Sequence, residues 1–352
     1  MKLTRRTLNR TALHRQLLLR RSTMSPIEAI RRLVAVQGQE INAPYLGLWS
    51  RLSGFAHDDL SDLLYGGQVV RGSLLRATQH LTAADDYVWV RPLMQARFSR
   101  ASQSAFAKVT EGVDRGELAT LARRHLTGRT LTRPQLRDLL AARWPEADAL
   151  ALGWLAQSLL AVVHTPPNGI WGRGGATPFT LAEEWIGRPL ETTLSPERLV
   201  ERYLAAFGPA GVKDVQMWSG LSRLREVVEG MPLRRYTDEE GRVLYDLPDA
   251  ELADEDTPAP VRLLPSFDNL VLAYDDRTRL MADEHRRQVC VGSVTHPVIL
   301  VDGFVAGMWW LTRTGLRIQP FGALPDEVMT EAGRLLEFAG QKEAAIEIAP
   351  QG

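Results

Sequence analysis

Two glutamines separated by one residue, Gln37 and Gln39 in Val36-Gln37-Gly38-Gln39-Glu40, form the segment of this chain best suited to chemistry. A carboxamide carries donors and an acceptor but takes no proton near neutral pH, so such a pair can fix a water or a sugar without acting as acid or base. On an α-helix, residues two apart differ by roughly 200° and face opposite ways, whereas an extended or turned backbone lets them converge. Gly38 stands where the preceding helix is expected to end, which supplies the turn. The same pair also reads as two surface glutamines at a helix end. Other chemistries lack their signatures: the sequence has no P-loop, no GxGxxG after a strand, no GxSxG, no HExxH and no CxxC pair. Seven histidines (14, 57, 80, 125, 164, 285 and 296) show no ligand spacing, and Cys290 is the only cysteine. No metal, no cofactor and no internal disulfide are expected.

The elements that must hold this segment belong to a core-forming chain of 352 residues, 45% hydrophobic and 24% charged, long enough for two or three domains. Its apolar runs fall far short of the roughly 20 residues that span a bilayer, and Arg interrupts the apolar part of the N-terminus, so neither a membrane span nor a secretory signal is expected. The 42 basic and 42 acidic residues cancel, but unevenly along the chain: residues 1–35 hold nine Lys/Arg against Glu28, and residues 238–257 hold nine acids against Arg242. The basic stretch could face a polyanion, or it could be a solvated helix face. Only four of the basic residues are Lys, an excess of Arg typical of high-GC coding.

Three segments repeat one plan, short helices followed by a β-hairpin. In the third, Ser195-Pro196 starts a helix through 207, two short helices follow at 212–218 and 221–229, and strands 233–237 and 242–247 flank an acidic turn. The second has helices at 117–126 and 149–160, one between them capped by Thr132 with Gln135, and a wing over 161–180. The first uses residues 4–20, a capping-box helix from Ser25-Pro26-Ile27-Glu28, a helix at 57–64 and strands around 72–81. Helix, turn, helix, hairpin describes a winged helix. After an acidic linker at 249–260 the chain turns β-rich, with strands near 261–264, 288–291, 298–301, 305–312 and 316–320, then a helix at 325–338.

Several segments, in this order along almost the whole chain, resemble the AlkZ-like winged-helix DNA glycosylases. They are Ala35-Val36-Gln37-Gly38-Gln39; Arg71-Gly72-Ser73-Leu74 with Gln79-His80-Leu81; Phe207-Gly208-Pro209-Ala210 with Trp218-Ser219-Gly220-Leu221; Leu263 through Asn269 with Asp276-Arg277; and Val301-Asp302-Gly303 with Gly307. The resemblance implies an α+β protein of three tandem winged helices (1–112, 113–190 and 191–250) and a small C-terminal β-barrel-like domain (251–352), arranged as a C around double-stranded DNA. It makes Gln37 and Gln39 the catalytic pair that positions water at the anomeric carbon, with Glu40 and Asp268 as possible helpers. It implies a monofunctional hydrolase without lyase activity that releases N7-alkylguanine and unhooks azinomycin-type interstrand crosslinks or bulky adducts. Such an enzyme is expected to work as a cytoplasmic, nucleoid-associated monomer, and the Arg-rich composition points to self-resistance against a genotoxic metabolite. A base alkylated at N7 is cationic and leaves without protonation, so water placement and charge stabilisation suffice.

DNA-contacting candidates on the same ground are Arg71, His80, Arg173 on the second wing and Arg313 in the turn Thr312-Arg313-Thr314-Gly315. Gly38 departs from family branches that carry a bulkier residue between the glutamines, which leaves crosslinks, bulky adducts and N7-methylguanine all open as substrates. The alternatives are a non-catalytic winged-helix regulator that binds DNA, which the fold alone would favour, and an interaction scaffold presenting the acidic stretch.

Overall fold

The computed structural model describes residues 1–349. It begins with helices α1 (Arg5–Arg15) and α2 (Pro26–Leu33), strand β1 (Val36–Gln37), and helices α3 (Ala43–Arg51) and α4 (His57–Tyr65). The hairpin β2 (Val69–Ser73) and β3 (Gln79–Ala83) follows, then the long helix α5 (Ala84–Phe106). Helices α6 (Arg115–Leu126), α7 (Arg133–Ala141) and α8 (Ala149–Leu159) lead to strands β4 (Val162–His164) and β5 (Phe179–Leu181) and the short helix α9 (Ala182–Ile186). Helices α10 (Pro196–Phe207), α11 (Val212–Ser219) and α12 (Arg225–Gly230) precede the hairpin β6 (Arg234–Thr237) and β7 (Val243–Asp246).

The caps read from the sequence operate: the Ser25 N–H donates to Glu28 Oε2 at 2.8 Å, and the Thr132 N–H to Gln135 Oε1 at 2.8 Å. Helices α3 and α5 lie in stretches that sequence reading left unassigned. Both are held by burial on more than one side, with Tyr45, Leu48, Tyr87, Val90 and Met94 all inaccessible, and neither shows the single apolar stripe that a surface helix would.

The first two hairpins are not separate wings. They join in one antiparallel five-stranded sheet of order β1-β3-β2-β4-β5, whose register sets Val36, Leu81, Arg71 and His164 in one row and Gln37, His80, Gly72 and Val163 in the next. Gly72 is required there, because a Cβ would lie 2.9 Å from the ring of Tyr87, whose hydroxyl donates to Val162 O at 3.0 Å. The third hairpin is a two-stranded sheet of its own.

Part of the unequal charge distribution is paired within the molecule. Arg15 on α1 makes a two-pronged bond to Asp246 at 2.7 and 2.8 Å with both side chains buried. Arg6 reaches Asp302 at 2.8 Å and Glu255 O at 2.9 Å, Arg10 reaches Asp302 and Thr257 O, and the Arg5 N–H donates to Glu239 Oε2 at 2.9 Å. The basic N-terminal helix and the acidic stretch are thus partly paired with each other, through Arg5 and Arg15.

The C-terminal region comprises β8 (Arg262–Leu264), α13 (Asn269–Leu272), α14 (Asp283–Val289), the small pair β9 (Cys290–Val291) and β10 (Val294–Thr295), β11 (Val298–Val301), β12 (Phe304–Leu311), β13 (Gly315–Pro320), α15 (Glu327–Phe338) and β14 (Ala345–Ile348). Its main sheet runs β14-β13-β12-β11-β8 with two open edges, so the expected barrel is an open sheet. Helix α15 covers it with Val328, Ala332, Leu335 and Leu336, and closure is unnecessary once a helix hides the apolar face. Trp309 is buried in this sheet with its indole N–H shared between Leu264 O and Val298 O.

Candidate active site

The expectation that the second helix ends at Gly38 is not met. Helix α2 ends at Leu33, and Val34 adopts φ 69°, ψ −54° while fully buried, with its carbonyl accepting from the Thr82 hydroxyl at 2.7 Å. A β-branched residue in that region costs on the order of 1–3 kcal/mol and persists only when its surroundings enforce it. The reversal puts Val36 and Gln37 into an extended strand at the sheet edge, opposite Leu81 and His80. Gln37 is buried and Gln39 is exposed.

The segment is pinned almost atom by atom. The Gly38 N–H donates to Gln79 O at 2.8 Å, and Gly38 O accepts from Arg71 at 2.9 Å. The Gln37 N–H donates to Asn269 Oδ1 at 3.3 Å, while the Asn269 amide nitrogen donates to Ala35 O. Gln37 Oε1 accepts from the Gln39 N–H at 2.8 Å, so the first carboxamide is folded onto the backbone of the second residue and no hydrogen bond joins the two side chains. Glu40 accepts from the Ser266 hydroxyl, which ties the end of the segment to the C-terminal region. A side chain at position 38 would displace Leu81, because a Cβ would lie 2.7 Å from the buried Leu81 Cδ1. Gly38→Val is therefore expected to destabilise the protein by about 1–3 kcal/mol in urea denaturation, as overpacking does, and Leu81→Ala in the same chain should restore part of it.

Arg71 and His80, expected as DNA contacts, are 6% and 1% exposed and face the interior. The Arg71 guanidinium donates to Gly38 O and to Asn168 Oδ1 at 2.8 Å, and burial pulls its pKa down to about 10. His80 Nδ1 lies 2.9 Å from Thr78 O; a carbonyl only accepts, so Nδ1 carries the proton and Nε2 is a buried acceptor without a partner among the described residues. Burial, with Arg76 nearby, holds His80 near pKa 3, and burial with Arg71 across the strand holds His164 near 4. Both imidazoles are neutral in the folded protein. Below about pH 6.5 the unfolded chain binds protons that the folded chain refuses until near pH 4 or 3, so stability is lost as pH falls through that window, by up to about 1.4 kcal/mol per pH unit for each histidine. His164→Gln should flatten the pH dependence of the urea midpoint between pH 6.5 and 4, and an unaltered slope would contradict this assignment.

Arg173 and Arg313 are exposed. Arg173 lies in the β4–β5 connection, which is anchored by Gly172 N–H to Asn42 Oδ1 at 2.9 Å, by Asn168 to Arg71, and by Trp171 stacked on His57 at 4.2 Å. Arg313 lies in the β12–β13 turn. Leu264, Val298 and Met308 are in register, and β12 continues to Leu311, so the turn projects roughly 10 Å beyond β8 at the sheet end where Ser266 meets Glu40. Asp268, read as a possible helper, is paired with Arg51 at 2.8 Å through both oxygens. Asn269 and Asn168 were missed as site residues; in sequence each sits beside a Pro- or Asp-containing turn and reads as a turn former. Among the described residues no group of three or more His, Cys, Asp or Glu is arranged to hold a metal, and no helix is long and apolar enough to cross a membrane.

The mixed α+β fold is that of a solved DNA glycosylase. Over 99% of this chain and 100% of the other, the structure of Streptomyces sahachiroi DNA glycosylase AlkZ matches with a TM-score of 0.79 at 24% sequence identity. The chain belongs to the AlkZ-like DNA glycosylase family, whose sequence model matches residues 30–341. A protein described as an interstrand DNA cross-link repair glycosylase, also of Streptomyces sahachiroi, is 28% identical over 95% of this chain and 92% of its own length.

Proposed function

We propose that this protein is a monofunctional DNA glycosylase that hydrolyses the N-glycosidic bond of N7-alkylguanine in double-stranded DNA and unhooks interstrand crosslinks joined through that position. The observation that carries the reading is the rigidly held Gln37-Gly38-Gln39 segment, with one buried and one exposed carboxamide, in a chain of this family. Gln37 spends its oxygen on the Gln39 backbone, which fixes the turn and leaves its amide nitrogen as a donor. The exposed Gln39 carboxamide can accept from a water O–H and donate to the sugar. As the C1′–N9 bond breaks, its electron pair neutralises the cationic base, and C1′ becomes electron-poor. The positioned water forms the new C1′–O bond and releases its proton to solvent. No general acid and no amine nucleophile enter, so borohydride should trap no covalent enzyme–DNA species; a trapped adduct would reject the monofunctional reading.

Within this proposal three helix-plus-hairpin units and the C-terminal region embrace the duplex as a monomer at the nucleoid, with Arg173 and Arg313 on connections that approach the site from two sides. Self-resistance against an azinomycin-type agent is the biological setting proposed. The test is single-turnover release of N7-methylguanine, and of an azinomycin-type crosslinked guanine, from labelled duplexes. Faster release from the crosslink supports self-resistance, faster release of N7-methylguanine supports general repair, and no release with duplex binding intact favours a DNA-binding regulator.

A further inference from the structure

The interior holds a guanidinium that the proposed reaction does not use. Arg71 is 6% exposed, yet its hydrogen-bond acceptors among the described residues, Gly38 O and Asn168 Oδ1, are neutral oxygens, and its Nε has no partner among them. A buried charge without a counter-ion is costly, and a structural arginine is normally matched by a carboxylate, as Arg15 and Arg51 are here by Asp246 and Asp268. The surroundings of Arg71 are nevertheless shaped to it. Asn168 is 4% exposed, and Gly169 adopts φ +94° where a Cβ would stand 3.1 Å from Arg71 Cδ, so both the backbone turn and the stem of the arginine call for glycine. One prong of the fork thus ends on the residue between the two glutamines and the other on a loop that is itself bonded to Asn42, three residues beyond Gln39.

We infer that Arg71 is a positioning residue for base excision: its guanidinium, set by Asn168, holds the Gly38 carbonyl and through it the relative orientation of the Gln37 and Gln39 side chains. This rests on the glycosylase reading above. A planar fork can fix two oxygens at once, which a flexible ammonium cannot. The role also accounts for a buried cation being tolerated without an anion, since a carboxylate beside it would compete with Gly38 O for the same N–H groups.

Separating chemistry from affinity tests the inference. Arg71→Lys keeps the charge and loses the fork; its single-turnover release of N7-methylguanine is expected to fall about 100-fold, the scale of a misplaced catalytic group. Duplex Kd is expected to stay within about twofold, because surface phosphate contacts supply affinity. Amide hydrogen exchange over residues 36–42 should accelerate. Asn168→Leu removes the acceptor that sets the fork and should lose about tenfold or more in excision with duplex Kd unchanged; this variant carries the test if Arg71→Lys does not fold. Wild-type excision rates and unchanged exchange in Arg71→Lys and Asn168→Leu would overturn the positioning role, and a loss of affinity matching the loss of excision would make Arg71 a DNA contact instead. If the wild type releases no base at all, the glycosylase reading fails, while the exchange measurement still reads whether Arg71 holds the segment.

Discussion

Gln37→Ala/Gln39→Ala is expected to lower single-turnover base release by about 100-fold or more while leaving duplex affinity near that of the wild type. The magnitude follows from losing water placement and the donors that meet developing charge, each worth on the order of 100-fold in comparable sites. Affinity is spared because phosphate contacts from surface side chains dominate it, and Gln37 is buried. The two single substitutions are not expected to be equal. Gln39→Ala removes an exposed carboxamide whose side chain makes no hydrogen bond among the described residues, so its effect should fall on the rate alone. Gln37→Ala also removes the acceptor of the Gln39 N–H and should add a measurable loss of stability, about 1 kcal/mol for a neutral hydrogen bond. Normal excision by the double variant would refute the catalytic assignment outright.

The second large effect is on stability. Asp268 and Arg51 are 3% and 2% exposed at their side chains and joined through both carboxylate oxygens, and Asp268 Oδ1 also accepts from the Leu270 N–H at 3.0 Å to start the short helix carrying Asn269. Asp268→Asn removes the charge while keeping the shape, so Arg51 becomes a buried cation facing an amide. Breaking a buried pair in this way costs about 3–5 kcal/mol, enough to move the urea midpoint well below that of the wild type. Arg51→Met/Asp268→Leu should recover a large share of the loss, because an apolar pair carries no desolvation cost. If Asp268→Asn unfolds at the wild-type midpoint yet loses excision, Asp268 acts in the chemistry and not in the fold. Asn269 follows Asp268 directly and holds the Gln37 N–H, so weakening this pair should also accelerate hydrogen exchange at residues 36–39.

The amino-acid sequence by itself determined what depends on neighbours along the chain. Capping residues set the starts of α2, α7 and α10, and the acidic turn after Thr237 joins β6 to β7 close to where the alternation of apolar residues places them. The glutamine types and their spacing, together with the ordered motifs, were enough to mark the catalytic candidates and the family. What the tertiary structure decided are pairings between segments far apart in sequence, which no local signal encodes. Arg71 and Arg173 look alike as arginines in glycine-containing stretches, yet one is sealed beneath Asn168 and Gly169 and the other stays at the surface. Part of the basic N-terminal helix packs against the acidic stretch some 240 residues away, a pairing that no local signal in either segment encodes. The hairpins of the first two units fused into one sheet because β2 and β4 both had open edges to satisfy. The C-terminal strands remained an open sheet because α15 covers the face that closure would have hidden. Burial and charge pairing depend on which distant segment arrives at a side chain, and that is settled only when the whole chain packs.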